Sequence, residues 1–233
     1  MRLSGKIAII TGAGRGIGLA GARAFVREGA RVVLAEIDET LGRKAEAELR
    51  SAGGDATFIR TDVSDSASVQ ALMARTRECY GGLHVLYNNA SVFLSSQDGR
   101  VTDLEEAVWN KILAINLHSV YLCCRYGIPL MIQSGGGSVI NTGSSASVMG
   151  VPGCDAYTAT KGATVAMTRS MAVEYGPTYG AELEPAALAL LQHLYSAGAH
   201  VGLVSTRSEG LGMARRLVAF PAGQTETHGT RSI

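Results

Sequence analysis

The sequence has little cysteine, and the few cysteines are scattered. Only four of the 233 residues are cysteine, namely Cys79, Cys123, Cys124 and Cys154. They form no CxxC pair, and no histidine lies at metal-ligand spacing around them. This pattern predicts reduced thiols rather than a disulfide framework, and it gives no reason to expect a metal site.

Long hydrophobic runs and an excess of charge of one sign are also missing. No apolar run approaches the roughly 18–20 residues of a membrane-spanning helix. The first apolar run is broken by glycine too soon for a signal peptide. The formal net charge is +1, so there is no electrostatic case for a nucleic-acid or membrane-surface partner. We therefore expect a cytoplasmic globular protein without a membrane segment.

Short apolar runs alternate with amphipathic segments along the first two thirds of the chain. Strands are predicted at 6–11, 31–36, 56–61, 83–87 and 138–142, and helices at 17–27, 39–50, 66–80, 103–131 and 155–175. This alternation predicts parallel strands joined by right-handed crossovers. Near-continuous apolar strands fit a sheet that is covered on both faces. The predicted fold class is therefore α/β, with one doubly wound parallel sheet in a single domain.

Glycines follow the first predicted strand, in the segment TGAGRGIG at 11–18. Gly12, Gly16 and Gly18 allow a tight turn, the approach of a phosphate and close packing of the next helix on the strand. The helix that starts near Ile17 offers free N–H groups and a positive dipole end to a pyrophosphate. Arg15 is placed to meet a phosphate as well. A glycine-rich structural turn is the alternative.

Glu36 ends the second strand, where a carboxylate can accept hydrogen bonds from the adenosine ribose and repel a 2′-phosphate. This favours NAD over NADP as the cofactor. Asp38 competes for the same role, and Arg15 argues mildly for a phosphate-bearing cofactor. A solvated acid at a strand end is the alternative.

Polar residues also follow the third and fourth strands. Asp62, before Val63, can accept from an adenine amino group, although a helix-capping role is nearly as plausible. Asn88 and Asn89, before Ala90, can bridge strands and cofactor, or they can simply stabilise a turn.

Tyr157 and Lys161 are four residues apart, and Ser144 ends the fifth strand. Residues i and i+4 share a helix face, so the Lys161 ammonium can stabilise a tyrosinate at Tyr157. Ser144 can donate a hydrogen bond to a substrate oxygen as charge develops there. A surface Tyr–Lys pair is the alternative, but the strand-terminal serine favours a catalytic set.

Asn116 lies within an apolar stretch of the long predicted helix. A buried amide must find hydrogen-bond partners. It can hold a water that relays protons to Lys161, or it can bond to a neighbouring element.

Together these motifs resemble the short-chain dehydrogenase/reductases over about residues 3–179. The segments that carry the resemblance are 11–18, Asp62-Val63, NNA at 88–90, Asn116, Ser144 and YTATK at 157–161. The resemblance implies a Rossmann-type fold, alcohol–ketone interconversion with NAD(P), and a homodimer or homotetramer. It also implies that Tyr157 is the general acid/base, that Lys161 orients the nicotinamide ribose, that Ser144 binds the substrate oxygen and that Asn116 supports the proton relay. A non-catalytic dinucleotide-binding relative, acting as a sensor or scaffold, is the rival hypothesis.

The sequence departs from the family pattern after Gly180. Ser91 replaces the glycine of the family's NNAG, and the sixth strand with its Pro-Gly turn is not found in the sequence. We expect residues 1–180 to form the dinucleotide-binding and catalytic domain and 181–233 to pack on it as an atypical C-terminal segment. Within that segment, helices are predicted at 186–195 and 213–220, and a substitute strand at 200–206.

Overall fold

Five parallel strands form one sheet in the computed structural model, which describes residues 1–175. The strands are β1 (Ile7–Thr11), β2 (Arg31–Glu36), β3 (Ala56–Arg60), β4 (Val85–Asn88) and β5 (Ser138–Asn141). Their order is β3-β2-β1-β4-β5, so the chain leaves β1 on one side and returns to it on the other. The crevice between β1 and β4 is thus the switch point at which ligands bind in such sheets.

Helices cover both faces of the sheet. They are α1 (Gly16–Arg27), α2 (Glu39–Ser51), α3 (Ser66–Tyr80), α4 (Glu106–Leu113), α5 (Ser119–Gln133) and α6 (Asp155–Tyr175). Apolar side chains of α1 and α2 pack on one face, and those of α3 and α5 pack on the other. Alternate residues of one strand enter different cores, as Ile10 and Ile9 of β1 show. The predicted doubly wound α/β fold is confirmed.

The long helix predicted at 103–131 needs correction. Asp103 lies outside it, because its carboxylate pairs with Arg100 at 2.8 Å and the helix begins at Glu106. A π-helical turn at Ala114–His118 then separates α4 from α5, which ends at Gln133. Asn116 lies in this turn, so the interruption coincides with a predicted site residue.

The expected elements at 186–195, 200–206 and 213–220 lie outside the described residues. Within residues 1–175, no helix is long and apolar enough to cross a membrane, and no group of acidic, histidine or cysteine side chains could hold a metal ion. All four cysteines are free thiols.

Candidate active site and dinucleotide cleft

A cleft of about 920 Å³ opens at the carboxyl ends of the strands. Of the predicted site residues, it is lined by Gly12, Arg15, Gly16, Ile17, Glu36, Asp62, Val63, Asn89, Ala90, Ser144, Tyr157 and Lys161. The structure thus brings most of the predicted set to one surface. Gly18, Asn88 and Asn116 do not line the cleft but contact residues next to it.

The glycine turn is built as the sequence predicts. Gly12 and Gly16 have φ of 63° and 55°, a region that favours glycine. A Cβ on Gly18 would collide with the Gly12 carbonyl oxygen, so this glycine sets the distance between turn and helix. At the N-terminus of α1 no side chain caps the helix, and its first turn carries no acid. The free amides and the dipole end therefore face the cleft.

Glu36 is buried at the end of β2 and is held by backbone amides. Its Oε2 accepts from Gly14 N at 3.0 Å, and its Oε1 accepts from Ile37 N at 2.9 Å and Asp38 N at 3.2 Å. A Cβ on Gly14 would lie 2.9 Å from Oε2, so Gly14 is glycine because the carboxylate packs on it. Since a carboxylate has about four acceptor sites, one remains for a ligand hydroxyl.

Two predicted alternatives are resolved by capping bonds. Asp38 caps α2 by accepting from Leu41 N at 3.0 Å, which commits it to the helix rather than the cleft. Asp65, not Asp62, caps α3 by accepting from Ser68 N at 2.8 Å. Asp62 instead accepts from Ser64 N at 2.9 Å and lines the cleft.

The two asparagines after β4 bridge strands. Asn89 Nδ2 donates to the Thr11 carbonyl at 3.0 Å, joining β4 to β1. Asn88 Nδ2 donates to Asn141 Oδ1 at 2.8 Å, and Asn141 Nδ2 donates to Thr168 Oγ1 at 2.9 Å. The second chain of bonds ties the sheet to α6, the helix that carries Tyr157 and Lys161.

Lys161 is buried, with 3% of its surface exposed. Its Nζ donates to the Thr142 carbonyl at 3.0 Å and lies 5.6 Å from the centroid of the Tyr157 ring. The ammonium is therefore under the ring, anchored to the end of β5, rather than bonded to the phenol. Burial lowers the pKa of Lys161 to about 8.

Ser144 and Asn116 have local bonding partners. Ser144 Oγ accepts from Ala146 N at 3.2 Å, which leaves its O–H free to donate into the cleft. The Asn116 side chain donates to the Val92 carbonyl at 2.8 Å and accepts from Val92 N at 2.7 Å. Asn116 thus holds the chain after β4 through both ends of its amide.

The sequence placed Thr11 at a strand end and residues 92–100 at the border of the pocket, but three contacts in this region were not predicted. Thr11 Oγ1 accepts from Asn89 N and Ala90 N, both at 3.0 Å, and so fixes the turn after β4. Phe93 is 55% exposed, and its ring lies 4.8 Å from that of Tyr157 in an edge-on arrangement. Asp98 is buried although its Asp-Gly context resembles an ordinary turn. No sequence signal distinguishes Phe93 or Asp98, because their partners are distant in the chain.

A sequence model of the short chain dehydrogenase family matches residues 6–179. The chain is 44% identical over 171 residues to an uncharacterized oxidoreductase of Thermotoga maritima. That alignment covers 73% of this chain and 66% of the Thermotoga protein. The chain is 33% identical over 226 residues to 2-(S)-hydroxypropyl-CoM dehydrogenase 3 of Xanthobacter autotrophicus, covering 97% of this chain and 86% of that one. The second alignment extends into residues 181–233.

Solved structures agree with the sequence comparisons. A short chain dehydrogenase/reductase from Burkholderia phymatum, solved in complex with NAD, superposes with a TM-score of 0.71 at 33% identity. The match covers 75% of this chain and 61% of that one, so this chain spans about two thirds of the length of several of its relatives. The chain belongs to the short-chain dehydrogenase family.

Proposed function

We propose that this protein is an oxidoreductase that interconverts a secondary alcohol and a ketone with NAD(H), and that Tyr157 exchanges the substrate proton. The observation that carries the proposal is the buried Lys161 ammonium 5.6 Å from the centroid of the Tyr157 ring at the wall of the cleft. Burying a cation is costly unless it is paired, and a desolvated ionisable group in a cleft is a candidate for a functional role. Family membership supports the same chemistry.

The residues present fit a dinucleotide. Gly12 and Gly16 line the cleft beside the free amides of α1, where a pyrophosphate would bind, and Gly18 lets the helix pack against the turn. Asp62 and Val63 line the cleft, and we propose that they border the adenine. When bound, the nicotinamide supplies hydride transfer to or from the carbinol carbon. Among the polar side chains that line this cleft, Thr142, Ser144, Tyr157 and Lys161 lie on the segments that follow β5.

In our proposal the proton passes through Tyr157. The Tyr157 phenolate oxygen takes the proton of the alcohol, and in the reverse direction the Tyr157 hydroxyl gives its proton to the ketone oxygen; Lys161 stabilises the anionic ring from below. Ser144 donates to the substrate oxygen as charge develops. Because the Asn116 amide is committed to Val92, we propose that Asn116 supports the relay by holding this loop.

NAD is the proposed cofactor rather than NADP. Glu36 places a buried negative charge, held by three backbone amides, where the ribose is expected. A 2′-phosphate there would meet a like charge. Arg15 is exposed and lines the same cleft, and it is the residue to suspect if NADP is preferred.

The proposal also covers the whole chain. We propose that residues 1–180 form the dinucleotide-binding and catalytic domain, with 181–233, which lie outside the described residues, as a C-terminal segment of the same domain. The protein forms a homodimer or homotetramer, as the family resemblance implies, and its partner is a small alcohol or ketone.

The decisive test compares the wild type with Tyr157→Phe over a panel of secondary alcohols. The substitution keeps the ring and removes only the hydroxyl, so turnover should fall by about 10²-fold or more. The dissociation constant for NADH should stay nearly unchanged. Wild-type turnover in the variant would refute the role of Tyr157. Cofactor binding by the wild type without turnover of any alcohol would favour a non-catalytic sensor or scaffold.

A further inference from the structure

The amino end of α6 is capped by a residue from a distant loop. The residue before the helix is Cys154, whose side chain has no oxygen with which to accept from the free amides of the first turn. Asp98 does this instead: its Oδ1 accepts from Ala156 N at 3.2 Å, and its Oδ2 accepts from Tyr157 N at 2.9 Å. The cap is thus bonded directly to the backbone of the proposed acid/base.

Asp155, the first residue of α6, returns the bond. Its Oδ2 accepts from Val101 N at 2.8 Å, and its own N–H donates to the Gly99 carbonyl at 3.3 Å. Asp98 Oδ1 also accepts from Gly99 N at 2.9 Å, which closes the turn on its own side. We call this set of bonds between Asp98, Asp155 and their partner amides the carboxylate clamp.

Electrostatics favours Asp98 at this position. The side chain is buried, with 8% of the residue exposed, and within residues 1–175 no ion pair includes it. Its charge is instead balanced by three amide donors and by the positive end of the α6 dipole. A buried carboxylate with this bonding is a rigid joint, because moving it would strip the charge of its donors.

The clamp connects the helix to the substrate side of the cleft. The loop at 92–101 is fixed at its start by Asn116, which bonds both backbone groups of Val92, and at its end by the clamp. Between these two anchors, the Phe93 ring lies against that of Tyr157. The distance between the loop and the Tyr157 hydroxyl therefore depends on both anchors.

We propose that Asp98 and Asp155 are positioning residues of the active site, which hold Tyr157 at its working distance from a substrate bound against Phe93. The proposal rests on the proposed dehydrogenase function. It assigns neither aspartate a contact with substrate or cofactor. Its consequence is that loss of the clamp reduces turnover while leaving dinucleotide binding intact.

The test uses the full-length chain and matched substitutions. Asp98→Asn keeps the shape but replaces one acceptor oxygen by an NH₂ group, so one of the two α6 amides loses its partner. Asp155→Ala removes the return bond, whereas Asp155→Asn keeps an acceptor and serves as the conservative rescue. Asp65→Ala is the control, because it removes a helix cap of the same chemistry on α3, outside the cleft.

We expect kcat to fall about tenfold or more in Asp98→Asn and Asp155→Ala, since small misplacements of reacting groups have large effects on rate. Asp155→Asn should stay within about twofold of the wild type. The dissociation constant for NADH should be unchanged in all four, and Asp65→Ala should lower the melting temperature without lowering kcat. Wild-type kcat in Asp98→Asn, or an equal loss in Asp65→Ala, would overturn the proposal.

A second readout does not require turnover. With ¹³C-labelled tyrosine rings, the Tyr157 signal is assigned by its loss in Tyr157→Phe, and its shift reports the adjacent Phe93 ring. The chemical shift of the Tyr157 ring should change in Asp98→Asn and remain unchanged in Asp65→Ala. An unchanged chemical shift in Asp98→Asn would contradict a positioning role of the carboxylate clamp. Absence of turnover in the wild type would contradict the proposed function. The Tyr157 signal would still show whether the carboxylate clamp holds Tyr157 against Phe93.

Discussion

At the scale of single residues, Lys161 combines a charge with almost complete burial. Its ammonium has a carbonyl partner, Thr142, and within residues 1–175 it has no carboxylate within ion-pair distance. Desolvation therefore lowers the pKa of Lys161 from 10.5 to about 8 in the folded protein. The folded protein therefore bears the desolvation free energy of an ammonium that lies beneath the Tyr157 ring.

The depressed pKa of Lys161 predicts a stability that rises with pH. Between about pH 8 and 10.5 the unfolded chain keeps the proton that the folded chain has lost, so the contribution of Lys161 to the free energy of unfolding increases with pH in this window. The buried thiols of Cys123 and Cys124, whose pKa is raised to about 12, act in the opposite direction, so the Lys161 contribution is read as a difference between variants. The contribution of this group is on the order of 3 kcal/mol at the upper end. Urea unfolding of the wild type and of Lys161→Met from pH 7 to pH 10 measures this contribution. The free energy of unfolding of the wild type should increase relative to that of Lys161→Met as the pH rises.

The exposed Lys44 on α2 provides the matched control for that measurement. Lys44→Met removes the same charge from the surface and should keep the wild-type pH dependence. If the free energy of unfolding of Lys161→Met has the same pH dependence as that of the wild type, the Lys161 ammonium is not desolvated in the folded protein.

Glu36 carries the prediction for cofactor choice. Glu36→Gln removes the negative charge and one of the acceptor oxygens, so NADH should bind more weakly and NADPH should no longer be repelled. The ratio of the NADPH and NADH dissociation constants should fall about tenfold or more, as for loss of one charge-assisted hydrogen bond. Titration of both cofactors measures it. Glu39→Gln, on an exposed acid of α2, should leave the ratio unchanged, and tighter NADPH binding by the wild type would contradict the assignment.

At the scale of elements, the sequence pattern predicted the bounds of those helices and strands that depend mainly on residues close in the chain. The bounds of β2 and α3 agree with the prediction to the residue, and α6 begins at Asp155 as predicted, because an apolar run marks β2 and a capping aspartate precedes α3. Where signals conflicted, the prediction was less accurate. Asp103 resembles a helix start, but its carboxylate pairs with Arg100, and no pattern marks the π-helical turn at Ala114–His118.

The cleft follows the same division. Residues at strand ends, such as Glu36 and Ser144, could be predicted, because parallel strands deliver their carboxyl ends to one edge. The bonds that orient them could not, because they join residues far apart in the chain. Asn116 to Val92 and Asp98 to Tyr157 are examples. Such contacts depend on loop conformation, which neither periodicity nor propensity encodes.

At the scale of the whole molecule, the described residues supply the two halves of the dinucleotide cleft unequally. We propose the glycine turn, Glu36 and Asp62 for the adenosine and pyrophosphate side of the cleft, and Ser144, Tyr157 and Lys161 for its other end; all of these line the cleft. The family pattern adds a Pro-Gly turn toward the nicotinamide after its sixth strand, and the sequence after Gly180 does not contain it.

We therefore predict that NADH binds this protein only slightly more tightly than ADP-ribose does. The adenosine and pyrophosphate contacts are common to both ligands, so their affinities should differ by less than about tenfold, or ~1.4 kcal/mol. Calorimetric titration of the full-length chain with each ligand gives the difference directly, and Lys161→Met should reduce it further, because one ammonium serves the nicotinamide ribose. A difference of about a hundredfold or more would mean that another part of the chain replaces the missing turn. Residues 181–233, which align with the Xanthobacter autotrophicus relative, would then be the place to look for it.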